Sequence, residues 1–274
     1  MSELVTVEIV DHVADVRLNR PEKMNALSIP MFEAITAAGK ELAQNKDVRA
    51  VVLSGEGRGF CAGLDLANFT DPDFSNEPFG PGRGGFYPNF YQEPGYVWKK
   101  MPVPVICALH GVAYGGGFQI AMGADIRIAH SSTKLSVMEI KWGLIPDMST
   151  SQTLRDLVRV DVAKELTFTG RVVKSEEALA LGLVTSLNEN PREAALEMAR
   201  AIAKRNPNAI TYGKYLFDST WHGDEYEGLR AEERLQDKVL KTPNQIEAVM
   251  SEMEGRDPNY SQRDVTTFDD ITLD

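Results

Sequence analysis

Strand and helix signals alternate along the first half of the chain, and this order restricts the possible folds more than any other feature. Residues 4–10 and 13–19 alternate apolar and polar side chains, which predicts a hairpin of two half-buried strands. Ser28 is a predicted helix N-cap, with Pro30 in the first turn of the helix that follows. The β-branched run at 48–53 then predicts a buried strand, so the chain opens as strand, strand, helix, strand.

The same alternation continues further along the chain. Residues 103–109 and 125–129 are predicted strands, and a short helix is predicted between them at 116–122. This order is typical of an α/β fold. Residues 71–97 interrupt it with five prolines, five glycines and several aromatic side chains. Because loops of such length in compact domains are usually functional or disordered, we predict a long ordered loop or lid there.

After residue 190 the signals are helical. Asn190 followed by Pro191 predicts one helix start, and Thr242 followed by Pro243 predicts another. We therefore divide the chain into a core at 1–205, a helical oligomerisation region at 206–256 and an acidic tail at 257–274.

The tail at 257–274 carries five Asp against one Arg and few apolar side chains. Its composition is typical of a solvated segment. The alternative hypothesis is a tail that wraps around a neighbouring subunit and contributes to the oligomer.

The charge of the chain excludes some classes of partner. A formal net charge of -11 at pH 7, without any cluster of Lys and Arg, argues against nucleic acid and against anionic membrane surfaces. The first residues lack the positive region of a signal peptide, and no apolar run reaches membrane-spanning length, so we expect a cytoplasmic protein. Cys61 and Cys107 lie in apolar surroundings, which indicates buried free thiols. The histidines and cysteines show no metal-ligand spacing, so no metal is expected.

Two glycine-containing loops, at 60–66 and 110–119, are the strongest candidates for a functional site. Gly115, Gly116 and Gly117 are consecutive, so neither a dinucleotide fingerprint nor a P-loop is present. Consecutive glycines between a strand and a helix allow close backbone approach and leave N–H groups free at the helix end. These properties are those of an oxyanion hole.

Four segments resemble the crotonase or enoyl-CoA hydratase/isomerase family. They are Asn19 to Leu27, the loop at 60–66, residues 110–128 and Glu139 to Gln152. The resemblance implies a spiral of repeated ββα units that binds an acyl-CoA thioester, followed by C-terminal helices that build homo-trimers, often paired into hexamers. It also implies that the backbone N–H groups of Leu64 and Gly116 bind the thioester carbonyl. The side chains and backbone that we expect to contact the substrate are those of Lys23, Met24, Ala26, Ala62, Asp65 and Gln119, and Asp65 is also expected to fix its loop.

The acid and base residues differ from those of the family's hydratases. The resemblance implies two glutamates in hydratases, at the positions of Gln119 and Glu139. An amide has no titratable proton, so Gln119 cannot be a general base, although it can orient water or the thioester. Asp147 supplies a second carboxylate where hydratases usually have glycine and where isomerases often have Asp or Glu. Two carboxylates beside an extended acyl chain suit proton removal at one carbon and delivery at another.

Three functions remain open from the sequence. We favour an enoyl- or dienoyl-CoA isomerase with Glu139 and Asp147 as its proton carriers and no cofactor other than the coenzyme A of the substrate. In the close alternative, a hydratase, Glu139 activates water that Gln119 positions. The third is a binding module that has lost catalysis.

Several of these residues also have structural interpretations. Asp147 follows Pro146 and precedes a predicted helix, so it is also a natural N-cap. His110 is expected to be structural, because the chain lacks the G-x-S-x-G nucleophile elbow. Cys61 has no neighbouring histidine or lysine in the sequence to lower its thiol pKa, so we expect it to serve packing.

Overall fold

A computed structural model describes residues 3–70 and 87–273, with the backbone alone for Phe69 and Thr70. Its strands are β1 (Val5–Val10), β2 (Val13–Leu18), β3 (Ala50–Gly55), β4 (Val105–Leu109), β5 (Val112–Tyr114), β6 (Ile126–Ala129), β7 (Lys134–Ser136), β8 (Val173–Lys174) and β9 (Ser186–Leu187). Its α-helices are α1 (Ile29–Gln44), α2 (Glu93–Lys99), α3 (Gly116–Met122), α4 (Thr150–Thr153), α5 (Val160–Thr169), α6 (Ser175–Leu181), α7 (Pro191–Ala203), α8 (Pro207–Thr220), α9 (Glu225–Val239) and α10 (Pro243–Glu254).

The predicted hairpin and the elements after it are confirmed. β1 and β2 pair antiparallel from Val5 opposite Leu18 to Val10 opposite Val13. Asp11 and His12 both have positive φ, which is the backbone of a tight two-residue hairpin turn. Ser28 is the N-cap of α1, and the predicted helix at 116–122 coincides with α3.

A sheet of six strands, in the order β1-β2-β3-β4-β6-β9, forms the centre of the molecule. β1 pairs antiparallel with β2, and the remaining neighbours are parallel. Both faces of this sheet are covered. In β3, Val51 and Leu53 pack in the cluster that includes α1, whereas Ala50 and Val52 pack in the cluster that includes α7. Burial on both faces explains the continuous apolar run that predicted this strand.

The chain repeats one unit of structure. A strand of the six-stranded sheet is followed by an extended segment outside that sheet and then by a helix, as in β4, β5 and α3. The extended segments pair with one another: β5 pairs with β7, Cys61 forms a bridge with Ala113, and Leu64 forms one with Leu27. This arrangement brings the ends of successive repeats together at one place, where the two glycine-containing loops lie.

The helices after α7 form a cluster of their own with the last residues of the chain. Tyr212, Leu235 and Val239 of α8 and α9 are buried together with Val265, Phe268 and Ile271.

The tail at 257–274 is therefore not a solvated segment, and that interpretation was wrong. Arg263 is 1% exposed and donates hydrogen bonds to the carbonyl oxygens of Ala43 and Asn45, at 2.6 and 2.9 Å. The guanidinium thus binds the C-terminal end of α1. The tail packs on its own chain because its few apolar side chains and its one arginine all face inward. Net charge did not reveal this arrangement.

The predicted loop at 71–97 needs a correction at its C-terminal end. Residues 93–97 belong to α2, where Pro94 lies in the first turn and Val97 and Trp98 are buried. Residues 71–86 of that prediction lie outside the described residues. Within 3–70 and 87–273, no helix is both long and apolar enough to cross a membrane.

Candidate active site

The two glycine-containing loops lie side by side. Cys61 donates its N–H to the carbonyl of Val112 at 3.0 Å, and Tyr114 donates its N–H to the carbonyl of Cys61 at 3.0 Å. At Gly63, φ is +93°, and a Cβ would lie 2.7 Å from the carbonyl oxygen of Tyr114. Only glycine accepts that conformation and that approach. The loops can therefore come together as closely as two strands of one sheet.

Within the described residues, the N–H groups of Leu64 and Gly116 have no backbone acceptor at this junction. Leu27 donates to the carbonyl of Gly63 at 2.8 Å, and Asp65 donates to the carbonyl of Leu27 at 3.0 Å, so the Leu64 N–H between them points to the other side. Gly116 is the first residue of α3, and the first N–H groups of a helix have no acceptor within it. Both residues line one cavity of about 660 Å³. The two residues predicted to supply an oxyanion hole therefore border the same cavity.

Gly116 has no room for a side chain. A Cβ at this position would lie 2.6 Å from Cδ1 of Leu27 and 2.8 Å from Sδ of Met148. These side chains form the wall beside the donors, so even a methyl group would displace them.

Glu139 lies in the same cavity, at the start of a short 3-10 helix (Glu139–Trp142). It is 8% exposed, and Oε1 accepts a hydrogen bond from Nε2 of Gln119 at 2.5 Å. Oε2 is buried without a hydrogen-bond partner in the described chain. Burial raises the pKa of Glu139, and hydrogen bonds from the backbone and from Gln119 only partly oppose the shift. An unpaired buried carboxylate oxygen is costly, which favours the protonated form and makes Glu139 a stronger base than an exposed glutamate.

Gln119 is fully buried in the first turns of α3. Its Oε1 accepts hydrogen bonds from the N–H of Met148 at 2.7 Å and from the hydroxyl of Thr150 at 2.5 Å. Both lone pairs of this oxygen are therefore used by the protein. Gln119 forms part of the cavity wall, but its oxygen is not available to accept a hydrogen bond from water or substrate.

Asp147 also lines the cavity and does not cap a helix. The N-cap of α4 is Ser149, so the structural interpretation of Asp147 is excluded. The side chain is exposed within the open cavity. The surrounding protein nevertheless desolvates the carboxyl enough to raise the pKa of Asp147 above its ordinary value. A second carboxyl with high proton affinity thus faces the site that contains Glu139.

Asp65 fixes the first loop, as expected. Its Oδ2 accepts a hydrogen bond from Nη1 of Arg20 at 2.6 Å, and Oδ1 accepts one from the N–H of Ala67 at 3.1 Å. The Arg20 guanidinium holds the pKa of Asp65 below its usual value. Arg20 also donates to the carbonyl of Ala26 at 3.0 Å. Hydrogen bonds of Arg20 therefore join the segment before α1 to the loop at 60–66, which carries Leu64.

Asn25 also joins these segments by hydrogen bonds, and no pattern in the sequence predicted a role for it. It is fully buried and has a φ of 55°. Its Nδ2 donates to the carbonyls of Glu56, Gly59 and Phe60, and its Oδ1 accepts from the N–H of Arg20. A buried Asn in the segment Lys23 to Leu27 was the available signal, because such an amide must find backbone partners.

Five of the six residues expected to contact the substrate lie in the cavity wall: Lys23, Ala26, Ala62, Asp65 and Gln119. Met24 is not in the wall. Its carbonyl accepts the N–H of Ala62 at 2.9 Å, which supports the loop from behind.

Much of the wall is apolar, and sequence reasoning did not identify it. These side chains come from α1, the segment before α2 and the stretch around Glu139: Phe32, Tyr91, Met138, Trp142, Leu144, Ile145 and Met148. They are separated widely in sequence, so no local pattern marks them as one surface. An apolar wall of this kind suits an acyl chain.

The other candidate side chains serve structure. Cys61 is fully buried, and desolvation raises the pKa of its thiol to about 12. Its Sγ donates to the carbonyl of Asn25 at 3.1 Å. A ring nitrogen of His110 is hydrogen-bonded to the carbonyl of Gly57 at 3.0 Å. Cys107 is also a buried free thiol. The prediction that both cysteines are buried free thiols is confirmed, and Cys61 packs in the core as expected.

Comparisons with known proteins agree with the site. A sequence model described as enoyl-CoA hydratase/isomerase matches residues 8–263. The probable enoyl-CoA hydratase echA8 of Mycobacterium bovis is 31% identical over 268 residues, covering 95% of this chain and 99% of that protein. The mitochondrial Delta(3,5)-Delta(2,4)-dienoyl-CoA isomerase of Mus musculus is 31% identical over 255 residues, covering 90% of this chain and 78% of that protein.

A solved structure extends the likeness to the fold. The crystal structure of an enoyl-CoA hydratase from Bacillus anthracis matches with a TM-score of 0.83 at 28% identity, covering 94% of this chain and 98% of that one. The predicted crotonase-like α/β fold is thereby confirmed. The chain belongs to the enoyl-CoA hydratase/isomerase family of the crotonase superfamily, whose members act on acyl-CoA thioesters.

Proposed function

We propose that this enzyme moves a double bond along the acyl chain of an enoyl- or dienoyl-CoA thioester. The observation that carries the proposal is the presence of two carboxyl groups of raised pKa, those of Glu139 and Asp147, in the cavity that holds the Leu64 and Gly116 donors. Migration of a double bond needs one group to take a proton and another to deliver one.

The reaction can be written with these four groups. One carboxylate removes a proton from a carbon next to the unsaturated system, and the electron pair moves toward the thioester, giving an enolate oxygen. The N–H groups of Leu64 and Gly116 stabilise that oxygen more than the neutral carbonyl, because its charge is larger. The other carboxyl, protonated, then gives its proton to a carbon further along the chain. Electrons return from the enolate, and the two carboxyl groups have exchanged protonation states.

The raised pKa values suit these roles. A carboxyl with an ordinary pKa is almost wholly ionised at neutral pH and seldom holds a proton to deliver. Desolvation by the surrounding protein raises the pKa of Glu139 and of Asp147, toward the pH at which one can be charged and the other protonated. Because the substrate and product are isomers, the proposed reaction is redox-neutral, and we propose that it uses no cofactor beyond the coenzyme A of the thioester.

Hydration of a 2-enoyl thioester is a second candidate. It is favoured by Glu139, a buried carboxylate with one unpaired oxygen, beside the oxyanion donors, and by the printed description of echA8 as a probable enoyl-CoA hydratase. The oxygen of Gln119 is occupied, so a nucleophilic water would have Glu139 and Asp147 as its carboxylate acceptors.

The proposal includes a trimer, or a hexamer of two trimers. Its support is the exposure of large apolar side chains on the C-terminal helices, among them Phe217, Trp221 and Leu229. Sedimentation velocity measures the assembly directly. A monomer at micromolar concentration would contradict this part of the proposal.

One assay separates the two functions. The purified enzyme is given 2-enoyl, 3-enoyl and dienoyl thioesters of matched chain length in D₂O, and products are identified by mass spectrometry. We expect isomers of unchanged mass, apart from exchanged hydrogens, from the 3-enoyl or the dienoyl substrate. A product heavier by one water from the 2-enoyl substrate, with no isomerisation of the others, would establish the hydratase instead.

A further inference from the structure

The amide of Gln119 joins the two carboxylate-bearing parts of the site. Its Nε2 donates to Oε1 of Glu139 at 2.5 Å. Its Oε1 accepts from the N–H of Met148, at 2.7 Å, and Met148 directly follows Asp147. One planar group therefore bridges the start of the Glu139 helix and the segment that carries Asp147.

The orientation of this amide follows from its partners. A backbone N–H can only donate, so the group facing Met148 must be the amide oxygen. The nitrogen then faces Glu139, whose ionised carboxylate can only accept. The hydroxyl of Thr150 adds a second bond to the same oxygen at 2.5 Å. A flipped amide would place two acceptors together at Glu139 and two donors together at Met148.

We propose that Gln119 is a positioning residue, which holds the Glu139 carboxylate and the Asp147 segment at a set separation and, as a neutral amide, adds no third ionisable carboxyl beside Glu139. This inference rests on the proposed role of Glu139 as a base. It replaces the expectation that Gln119 contacts water or the thioester through its oxygen.

A carboxylate in place of the amide would change the titration. In Gln119→Glu the new carboxyl keeps its two bonds from Met148 and Thr150, but its other oxygen lies against Oε1 of Glu139. Two carboxylates so close repel each other when both are ionised, so they share one proton instead. The pair therefore loses its last proton at a higher pH than Glu139 alone. The neutral amide avoids this coupling and supplies a hydrogen bond to the charged form of Glu139.

The test compares four variants by pH profile and by the separation of kcat from KM. Gln119→Glu should move the acidic limb of the kcat/KM profile to higher pH by about one unit or more, which lowers activity on that limb roughly tenfold. Gln119→Met has a similar volume without the hydrogen bonds, and we expect kcat to fall roughly 10–100-fold because the carboxylate is no longer held in place. In both, KM should stay within about twofold, since the oxyanion donors and the apolar wall are unchanged.

Thr150→Val and Thr153→Val form a matched pair. Thr150 bonds to the Gln119 oxygen, whereas Thr153, in the same helix and equally buried, has its hydroxyl directed at the carbonyl of Ser149. We expect Thr150→Val to lower kcat in the same direction as Gln119→Met, by a smaller factor, and Thr153→Val to leave kcat unchanged. If Gln119→Met fails to fold, this pair decides the question.

The outcomes that would contradict the positioning role differ from those that would contradict the proposed function. A folded Gln119→Met enzyme with wild-type kcat, an unshifted pH profile in Gln119→Glu, or equal kcat in the two threonine variants would overturn the inference. Full activity of Glu139→Gln would instead defeat the proposed function. A variant series in which Glu139→Gln is inactive while Gln119→Met is normal would refute the positioning role alone.

Discussion

Asp147 lies close enough to Glu139 that its charge adds to the effect of burial in raising the pKa of the glutamate. The two groups belong to segments on either side of the stretch Ile140 to Pro146, and both line the cavity that Leu64 and Gly116 also line. Each carboxyl therefore influences when the other can take or give a proton, and this coupling can be measured.

Asp147→Asn should impair isomerisation by roughly 10²–10⁴-fold, the usual effect of losing a general acid or base. Any hydratase activity should suffer less. Because a negative charge beside Glu139 has been removed, the pKa of Glu139 should fall, and the acidic limb of the residual activity should move to lower pH. Steady-state rates from pH 4 to 9 measure both effects, with Asp237→Asn on the exposed face of α9 as control. Normal isomerisation by Asp147→Asn would leave Glu139 as the only carboxylate in the mechanism.

Glu139→Gln should abolish turnover while binding of the CoA thioester persists. The amide keeps the volume of the side chain and can still accept the bond from Gln119, but it has no basicity. Calorimetry with a non-reactive thioester measures binding separately from turnover, and the exposed Glu197→Gln serves as the matched control. In the wild type, activity carried by ionised Glu139 should decline as the pH falls through its raised pKa. Wild-type turnover in Glu139→Gln would remove this residue from the mechanism.

Gly116→Pro should abolish turnover, because proline has no N–H to offer the oxyanion. The loss of one such donor costs about 2.7–4 kcal/mol of transition-state stabilisation. Gly116 is the first residue of α3, a position at which helices accept proline, so the helix itself need not be lost. Circular dichroism and thermal unfolding check the fold.

Gly116→Ala tests the same position without removing the N–H. Its methyl group would press on Leu27 and Met148, so we expect lower activity than in the control Gly213→Ala, where a Cβ meets no atom within 4 Å. A folded and active Gly116→Pro enzyme would contradict the oxyanion assignment.

Asp65→Asn should lower the free energy of unfolding by about 1–3 kcal/mol at pH 7, since it removes a partly buried charge-assisted bond to Arg20. The folded pKa of Asp65 lies below its unfolded value, so the stabilisation is complete above the unfolded pKa and is lost as the pH falls through the folded one. Urea unfolding of wild type and variant at pH 7, 5 and 3.5 should show the difference shrinking only at the lowest pH. A difference that is the same at all three would mean that the ionised carboxylate is not responsible.

Arg263→Met should destabilise the fold by about 3 kcal/mol, because the carbonyls of Ala43 and Asn45 at the end of α1, and that of Val48 after it, lose a donor. The activity of the folded fraction should not change, since Arg263 does not line the cavity. Arg256→Met removes an exposed pair with Glu247, which water screens, and should lower the free energy of unfolding much less. Equal stability of the two variants would show that the tail contributes nothing to the core.

The sequence by itself determined most of the local elements around the site. Ser28 as N-cap, the β-branched run before Gly55 and the consecutive glycines 115–117 all act within a few residues, and helix caps, strand periods and positive-φ turns depend on such local properties. The resemblance to the family then brought Leu64 and Gly116 together, and the structure has both in one cavity.

Only the tertiary structure decided what the buried polar groups bind. Gln119 meets partners 20, 29 and 31 residues away, and Arg263 meets carbonyls more than 200 residues before it. Neither set of partners has a sequence period, because each depends on how helices and sheet pack. From the sequence, Asp147 was suited both to a catalytic role and to the N-cap of a helix. The structure has Ser149 as the N-cap of α4. Local conformational preference places a side chain on an element, whereas desolvation and long-range hydrogen bonds, which require the assembled core, decide its chemistry.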